Sequence, residues 1–294
     1  MSKTTALGVL TVLMCLAAGP SMADGPPRTH GLWVWKGPEI LKAPKGAERL
    51  RDFCRIHGIN EVYVSIFSHG DLSEAAAVSA LIGLLHTANV RVEALLSSTD
   101  ADEPGPHREK LLDHVHAIMR FNSQHPSSRI DGIHLDVEPQ QRPENKGAGN
   151  LRFLPGLVDA FRAVRALAEP AGLSVNADLQ NKLLKGSLDE RRALMQSLPR
   201  LTLMLYELSS ANDGTSIDQK AQKLRSASQG FLDMAYQGLP GPGLATLVIG
   251  LRTPDYEELL PQMLTTLDGA NGTNPHYQGW ARHSYNDALK EAGQ

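Results

Sequence analysis

The stretch Ile130-Asp131-Gly132-Ile133-His134-Leu135-Asp136-Val137-Glu138-Pro139 decides the fold. Successive side chains of a strand point to opposite faces, so His134, Asp136 and Glu138 share one face and Ile133, Leu135 and Val137 the other. In a closed parallel barrel the apolar set packs against surrounding helices and the polar set points into the barrel. Burying three such groups to no purpose is unfavourable, because an unpaired buried carboxylate is strongly disfavoured. The C-terminal ends of barrel strands are also where this architecture places its chemistry.

Outward from this segment, short apolar or β-branched runs alternate with longer amphipathic ones. Strands are expected at 31–36, 61–67, 91–97, 132–139, 173–179, 201–207, 245–253 and 277–285. Helical patterns lie between them at 47–57, 72–88, 108–124, 151–168, 188–197, 217–230 and 255–267, with a further candidate at 286–292. Thr253-Pro254-Asp255-Tyr256-Glu257 has the N-cap, first-turn proline and acidic residues of a helix start, and Gly58, Gly172 and Gly230 sit where helices should stop. Eight strands with helices between them predict a (β/α)8 TIM barrel. The rival is an open doubly wound sheet, but no glycine-rich phosphate loop follows the first strand.

The chain has 294 residues, 41% hydrophobic and 21% charged, so disorder and collagen-like repeats are excluded. A formal net charge of −3 gives no general attraction to nucleic acid or anionic membranes. Residues 1–23 carry Lys3, an apolar run at 6–18, Pro20 and the small residues Ser21 and Ala23. That is the layout of a signal peptide for export to the periplasm or beyond, and the run is too short to span a bilayer. Its removal leaves 24–294 as one expected barrel domain with formal charge −4 and a single thiol, Cys54, read as a buried hydrophobe. No cofactor and no transmembrane segment is implied, and a monomer is expected.

Asp136 and Glu138, two residues apart on one strand face, oppose each other's ionisation, and burial at a barrel mouth adds to this. One of the pair should hold a proton near neutrality. That suits a general acid acting on a glycosidic oxygen, with the other carboxylate stabilising positive charge on the sugar. Glu138, nearer the strand end, is the better acid.

The run Asp131-Gly-Ile-His134-Leu-Asp136-Val-Glu138 resembles the fourth-strand signature of glycoside hydrolase family 18, the chitinase-like barrels, which reads Asp-Gly-x-Asp-x-Asp-x-Glu. The resemblance implies that Glu138 is the catalytic acid and Asp136 its assisting carboxylate. His134 stands where that family has a deeper Asp. Met204-Leu205-Tyr206-Glu207 is similar to the family's Met-x-Tyr-Asp, which implies that Tyr206 orients a reacting acetamido group and that Glu207 replaces the usual Asp. Trp280 falls where the family has a Trp under the central sugar.

The remaining candidates come from position. Trp33 and Trp35 share a face of the first strand and Trp280 lies on the last, so all three are expected at one edge of the pocket, with packing against helices as the alternative. Asn176, Asp178 and Gln180 alternate toward the end of the fifth strand and are placed to meet sugar hydroxyls or one another. Arg252 ends the seventh strand and either binds an acidic group or pairs with a barrel carboxylate. Ser65, His69, Glu93 and His283 are weaker candidates. The segment 140–150, polar and glycine-rich, is expected to be a mobile loop over the mouth. An aromatic content of 5% fits a short sugar site better than a long polymer groove.

Three functions remain open. The first is an exported hydrolase acting on glycosidic bonds of an oligo- or polysaccharide. The second is a metal-dependent hydrolase or deacetylase, since His134, Asp136 and Glu138 are metal-ligand types. They span about 13 Å along one strand, so one ion would need further ligands. The third is a catalytically silent sugar-binding barrel.

Overall fold

The computed structural model describes residues 28–68, 71–147, 151–206, 208, 214–232 and 245–291. The expected signal peptide at 1–23, together with His69, Glu207 and residues 148–150, lies outside these described residues.

The strands are β1 (Thr29–Val34), β2 (Glu61–Val64), β3 (Phe67–Ser68), β4 (Asp71–Leu72), β5 (Arg91–Ser98), β6 (Gly132–Val137), β7 (Ser174–Gln180), β8 (Arg200–Met204), β9 (Thr246–Arg252) and β10 (Tyr277–His283). Eight of them close into a barrel in the order β1-β10-β9-β8-β7-β6-β5-β2, every pair parallel. This is the (β/α)8 barrel that the alternation at 130–139 predicts. The other two, β3 and β4, form a small antiparallel ribbon. The helices are α1 (Gly37–Lys42), α2 (Gly46–Ile56), α3 (Ala75–His86), α4 (Pro106–Gln124), α5 (Leu154–Ala168), α6 (Leu188–Met195), α7 (Ile217–Leu232), α8 (Leu260–Asn271) and α9 (Tyr285–Glu291).

Strand parity divides the interior in two. Ile133, Leu135 and Val137 of β6 join Val115 and Ile118 of α4 and Phe161 and Val164 of α5 in the large core between barrel and helices. Each such side chain contributes about 1.5–3 kcal/mol on burial. Inside the barrel the apolar cluster is small: Trp33, Tyr63, Leu95, Val248 and Ala281, with Trp35 against it. Two glycines make room for its rings. A Cβ on Gly31 would lie 2.5 Å from the Tyr63 hydroxyl, and one on Gly250 would lie 2.9 Å from the Trp33 ring.

Four local expectations are corrected. The strand expected at 61–67 breaks after Val64, and the helix expected at 72–88 begins only at Ala75, because Phe67 and Ser68 pair with Leu72 and Asp71 in the ribbon. The helix expected at 255–267 begins at Leu260, after two short 3-10 turns. A continuous helix from Asp255 would put Pro261 in its interior, where it lacks an N–H and clashes with the preceding turn, whereas at the start it is tolerated. The segment 140–147 is not a free loop but folds into 3-10 turns at Pro139–Gln141 and Pro143–Asn145. Arg142 pins it through Asp102 at 2.8 Å, Glu103 at 3.1 Å and Glu144 at 3.3 Å, and Lys182 donates to the Asn145 carbonyl at 2.6 Å. Cys54 is fully buried, and burial pushes its thiol up to about 12, in keeping with a packing role.

Gly250→Ala drives a methyl group against the Trp33 ring, and overpacking of this kind destabilises by about 1–3 kcal/mol. Urea denaturation should show that loss at unchanged slope, while Gly269→Ala, which meets open space, should show little.

Candidate active site

The polar residues that strand parity turns inward form three storeys along the barrel axis. The lowest is an ion cluster. Arg200, at the start of β8, donates from Nη2 to Glu61 Oε1 at 2.5 Å and to Glu93 Oε1 at 2.9 Å. Its Nη1 donates to Glu61 Oε2 at 3.1 Å and to Thr29 Oγ1 at 2.8 Å. Glu93 Oε1 also accepts from Asn176 Nδ2 at 2.5 Å and from Ser174 Oγ at 3.2 Å. Burial alone would raise the Glu93 carboxyl. Arg200, His134 and Asn176 outweigh it and hold it down at about 2.

The middle storey is His134, with no exposed surface. Its Nδ1 lies 3.2 Å from Glu93 Oε2 and its Nε2 2.8 Å from Asp178 Oδ1. Asp178 Oδ2 accepts a 3.0 Å bond from the Trp33 indole N–H, a group that can only donate. Tyr63 stacks on the imidazole with ring centres 3.7 Å apart, and Trp33 meets it edge-on. With a carboxylate on each nitrogen, both nitrogens are placed to donate, the pattern of an imidazolium. Burial opposes that charge, but Asp178 and Glu93 raise the imidazole to about 9.

Above this opens a cleft of about 350 Å³ lined by Trp35, Asp136, Glu138, Gln141, Gln180, Asn181, Met204, Tyr206 and His283. Asp136 is 6% exposed, and its Oδ1 has no partner among the described residues. Burial, then the negative charges of Asp178 and Glu138, push its carboxyl well above the usual range. Glu138, half-buried, accepts from Gln180 at 2.9 Å and Gln140 at 3.1 Å on Oε1 and from Gln141 on Oε2. Burial and Asp178 raise it too, although the three amides favour its ionised form. Tyr206 has a shielded hydroxyl with no partner among the described residues, and burial lifts it well above the ordinary phenol value. His283 accepts the Trp35 indole N–H at 2.8 Å on Nε2, so this ring is neutral, and burial lowers its proton affinity in agreement.

Comparison with solved structures places this geometry. The glycoside hydrolase domain of PgaB (BpsB) from Bordetella bronchiseptica superposes with TM-score 0.57 at 12% identity, over 90% of this chain and 96% of that one. A glycoside hydrolase family 18 N-acetylglucosaminidase from Paenibacillus barengoltzii gives 0.55 at 10% identity, over 88% and 95%. A putative chitinase A from Streptomyces coelicolor gives 0.53 at 13%, over 90% and 94%. The fold is that of the family 18-like glycoside hydrolase barrels. At these identities the likeness concerns the fold. No family model matches the chain, and no curated protein matches it either.

The structure brings Asp136, Glu138, Tyr206, Trp35, Gln180 and His283 together around one cleft, and places His134, Asn176, Asp178, Trp33 and Trp280 away from its lining. His134, Asn176 and Asp178 are at most 3% exposed and bond to one another's neighbours below the cleft floor, so they are not placed to touch a substrate. Arg252 donates from Nε and Nη2 to Asp255 Oδ1 at 3.0 and 2.7 Å, and its positive charge bears on Tyr206 and His283. Trp280 is corrected outright. On β10 it is Gly279, Ala281 and His283 that face inward, so Trp280 points to the helices, stacks on His30 at 4.2 Å and donates to Asp268 at 3.1 Å. Trp33 does face inward, yet it is fully buried beneath the cleft, so the three tryptophans do not gather at its edge. The expected role of Glu207 lies outside the described residues.

Sequence reasoning did not single out Arg200 or Tyr63, and it passed over Gln141 as loop. Alternation with Thr202 and Met204 could have turned Arg200 inward; nothing local marks Gln141, whose place follows from the Pro139 turn.

Charge in the shaft makes stability pH-dependent. Glu93 is depressed from 4.5 to about 2, so its contribution is complete above about 4.5 and lost as pH falls toward 2. His134 is raised from 6.5 to about 9, so its contribution is complete below about 6.5 and lost as pH rises through 9. Urea midpoints should therefore be highest between about pH 4.5 and 6.5 and decline on both sides. Arg200→Met, which strands two buried carboxylates, should destabilise by about 3–5 kcal/mol at neutral pH.

Proposed function

We propose that this protein is a glycoside hydrolase that cleaves glycosidic bonds of an oligo- or polysaccharide by carboxylate acid catalysis. The observation that carries it is the pairing, in one cleft, of Asp136 and Glu138, both raised, beside a Tyr206 hydroxyl that has no partner among the described residues. The family 18-like fold is in keeping with this.

In this reaction Glu138 protonates the departing glycosidic oxygen. Its three amide partners aim the carboxyl at the mouth and keep it from turning down into the shaft. Asp136, deeper and free at Oδ1, passes its own proton toward Glu138 or accepts one from the substrate, and as an anion it stabilises positive charge growing on the sugar. Tyr206, whose hydroxyl stays protonated throughout the physiological range, donates to a carbonyl or hydroxyl of the bound sugar. A donor from Tyr206 and an acceptor on Asp136 together suit the C=O and N–H of a 2-acetamido group. Trp35, fixed by its bond to His283, offers the cleft's flat aromatic wall, and Gln180 and Asn181 offer amides to hydroxyl groups. One such wall among the described residues is in keeping with a site of few subsites.

A metal-dependent hydrolase draws no support from the donor set, since both nitrogens of His134 face carboxylates and none is turned to the cleft. Export through the segment 1–23 belongs to the same proposal; among the described residues no helix is long and apolar enough to cross a membrane.

The test is a screen of the purified chain on polysaccharides and chito-oligosaccharides alongside Glu138→Gln. General acid catalysis typically supplies about 10²–10⁴ in rate, so kcat should fall by that factor while sugar affinity is kept. No cleavage and no binding of any glycan, or full activity in Glu138→Gln, overturns the proposal. A second comparison separates the tryptophans: Trp35→Ala should weaken sugar binding about tenfold, or 1.4 kcal/mol, whereas Trp280→Phe should leave it unchanged.

A further inference from the structure

Three carboxylates, Asp178, Asp136 and Glu138, lie on two adjacent strands and interact with one another, yet the hydrolase proposed above needs its proton on the cleft side of that group. The deepest of them, Asp178, is the one whose partners are settled by geometry. The Trp33 indole can only donate, so Asp178 Oδ2 is bare. Asp178 Oδ1 faces His134 Nε2 at 2.8 Å. The other ring nitrogen faces Glu93, whose Oε1 is filled by donors from Asn176, Arg200 and Ser174. Both ring nitrogens of His134 thus face carboxylate oxygens, and stacking on Tyr63 between walls with no exposed surface leaves it no room to turn.

We infer that His134 is a positioning residue that assigns the proton of the site: as a fixed imidazolium it keeps Asp178 a pure acceptor, so that the proton shared by the three carboxylates stays on Asp136 and Glu138. His134 never touches substrate. It acts through Asp178, whose negative charge in turn bears on Asp136, Glu138 and Tyr206. The groups that face this couple are Glu93 and Tyr63 on the strands before it, Trp33 across the barrel, Asp136 above it on β6, Tyr206 and His283 on the cleft side, and Arg200 behind Glu93. Arg200 is already divided between Glu61 and Glu93 and has no bond to Asp178, so it is not a substitute cation for that residue. Without His134, Asp178 would keep a single donor, Trp33, in a nearly waterless setting. Its Oδ1 would then have no donor among the described residues.

The spectroscopic arm of the test needs no substrate, so it can fail or succeed independently of the hydrolase proposal. In the full chain labelled with ¹⁵N-histidine, His134 should show two protonated ring nitrogens at pH 7 and lose that signature only near pH 9. Infrared difference spectra should show a protonated carboxyl that disappears in Asp136→Asn and persists in Asp178→Asn. In His134→Gln the band should become sensitive to Asp178→Asn instead. A neutral His134 at pH 7, or a wild-type band that disappears in Asp178→Asn, overturns the inference, as does a His134→Gln band still assigned to Asp136 alone. Should His134→Gln not fold, the wild-type nitrogen signature and the two Asn variants decide the matter. On a cleaved glycan, His134→Gln should also move a limb of the kcat/KM pH profile by at least about one unit, a tenfold change on that limb. A purely structural role would lower the melting temperature and leave that limb in place.

Discussion

A single imidazolium, enclosed by Glu93 and Asp178, is the constraint on which the barrel interior depends. A carboxylate with no exposed surface is tolerated only when it is paired and hydrogen-bonded. Here each one is: Glu61 and Glu93 share Arg200, Glu93 and Asp178 share His134, and Trp33 closes the far end of the row. The row fixes side chains from β1, β2, β5, β6, β7 and β8 relative to one another. A barrel filled this way gains less from apolar burial inside than one packed with Leu and Val. Its stability therefore rests largely on the outer core, where the opposite parity of every strand packs against the helices.

The same device shapes the cleft. Around the cleft, Asp136 Oδ1, the Tyr206 hydroxyl and His283 Nδ1 have no hydrogen-bond partner among the described residues. Natural structures pair the great majority of buried polar atoms, so unpartnered atoms gathered around one cleft point to a ligand that supplies the partners. Glu138, by contrast, is held on both oxygens by glutamine amides, one from β7 and two from the turn after β6. That turn is itself tied down by Arg142 and its ring of carboxylates. Over residues 139–147 the mouth thus has a tied-down edge where a covering loop was expected.

Much of the fold was legible because a period of two is unmistakable when polar and apolar residues alternate as cleanly as at Ile133–Glu138. The three carboxyl and imidazole groups of that strand, and the Tyr206 that ends the run after Arg200, could be assigned to the lumen for the same reason. Legibility failed where the alternation is weak. In Tyr277–His283 both faces carry a mixture of aromatic, polar and small residues, so nothing local tells Trp280 from Ala281 as the inward residue. It failed also where a proline rule acts at a distance of several residues, as Pro261 does on the start of α8.

Taken by itself, the sequence determined strand parity on β6, the barrel class, and hence the two carboxylates of the cleft, because these depend on local periodicity and on the unfavourable burial of unpaired charge. Depth was decided only by tertiary structure. His134, Asn176 and Asp178 alternate on their strands as Asp136 and Glu138 do, but one step down the axis the barrel closes over them, and residues remote in sequence, Trp33, Glu93 and Arg200, become their partners. A side chain's face is a property of its own strand. Whether that face meets solvent or another charge depends on seven other strands.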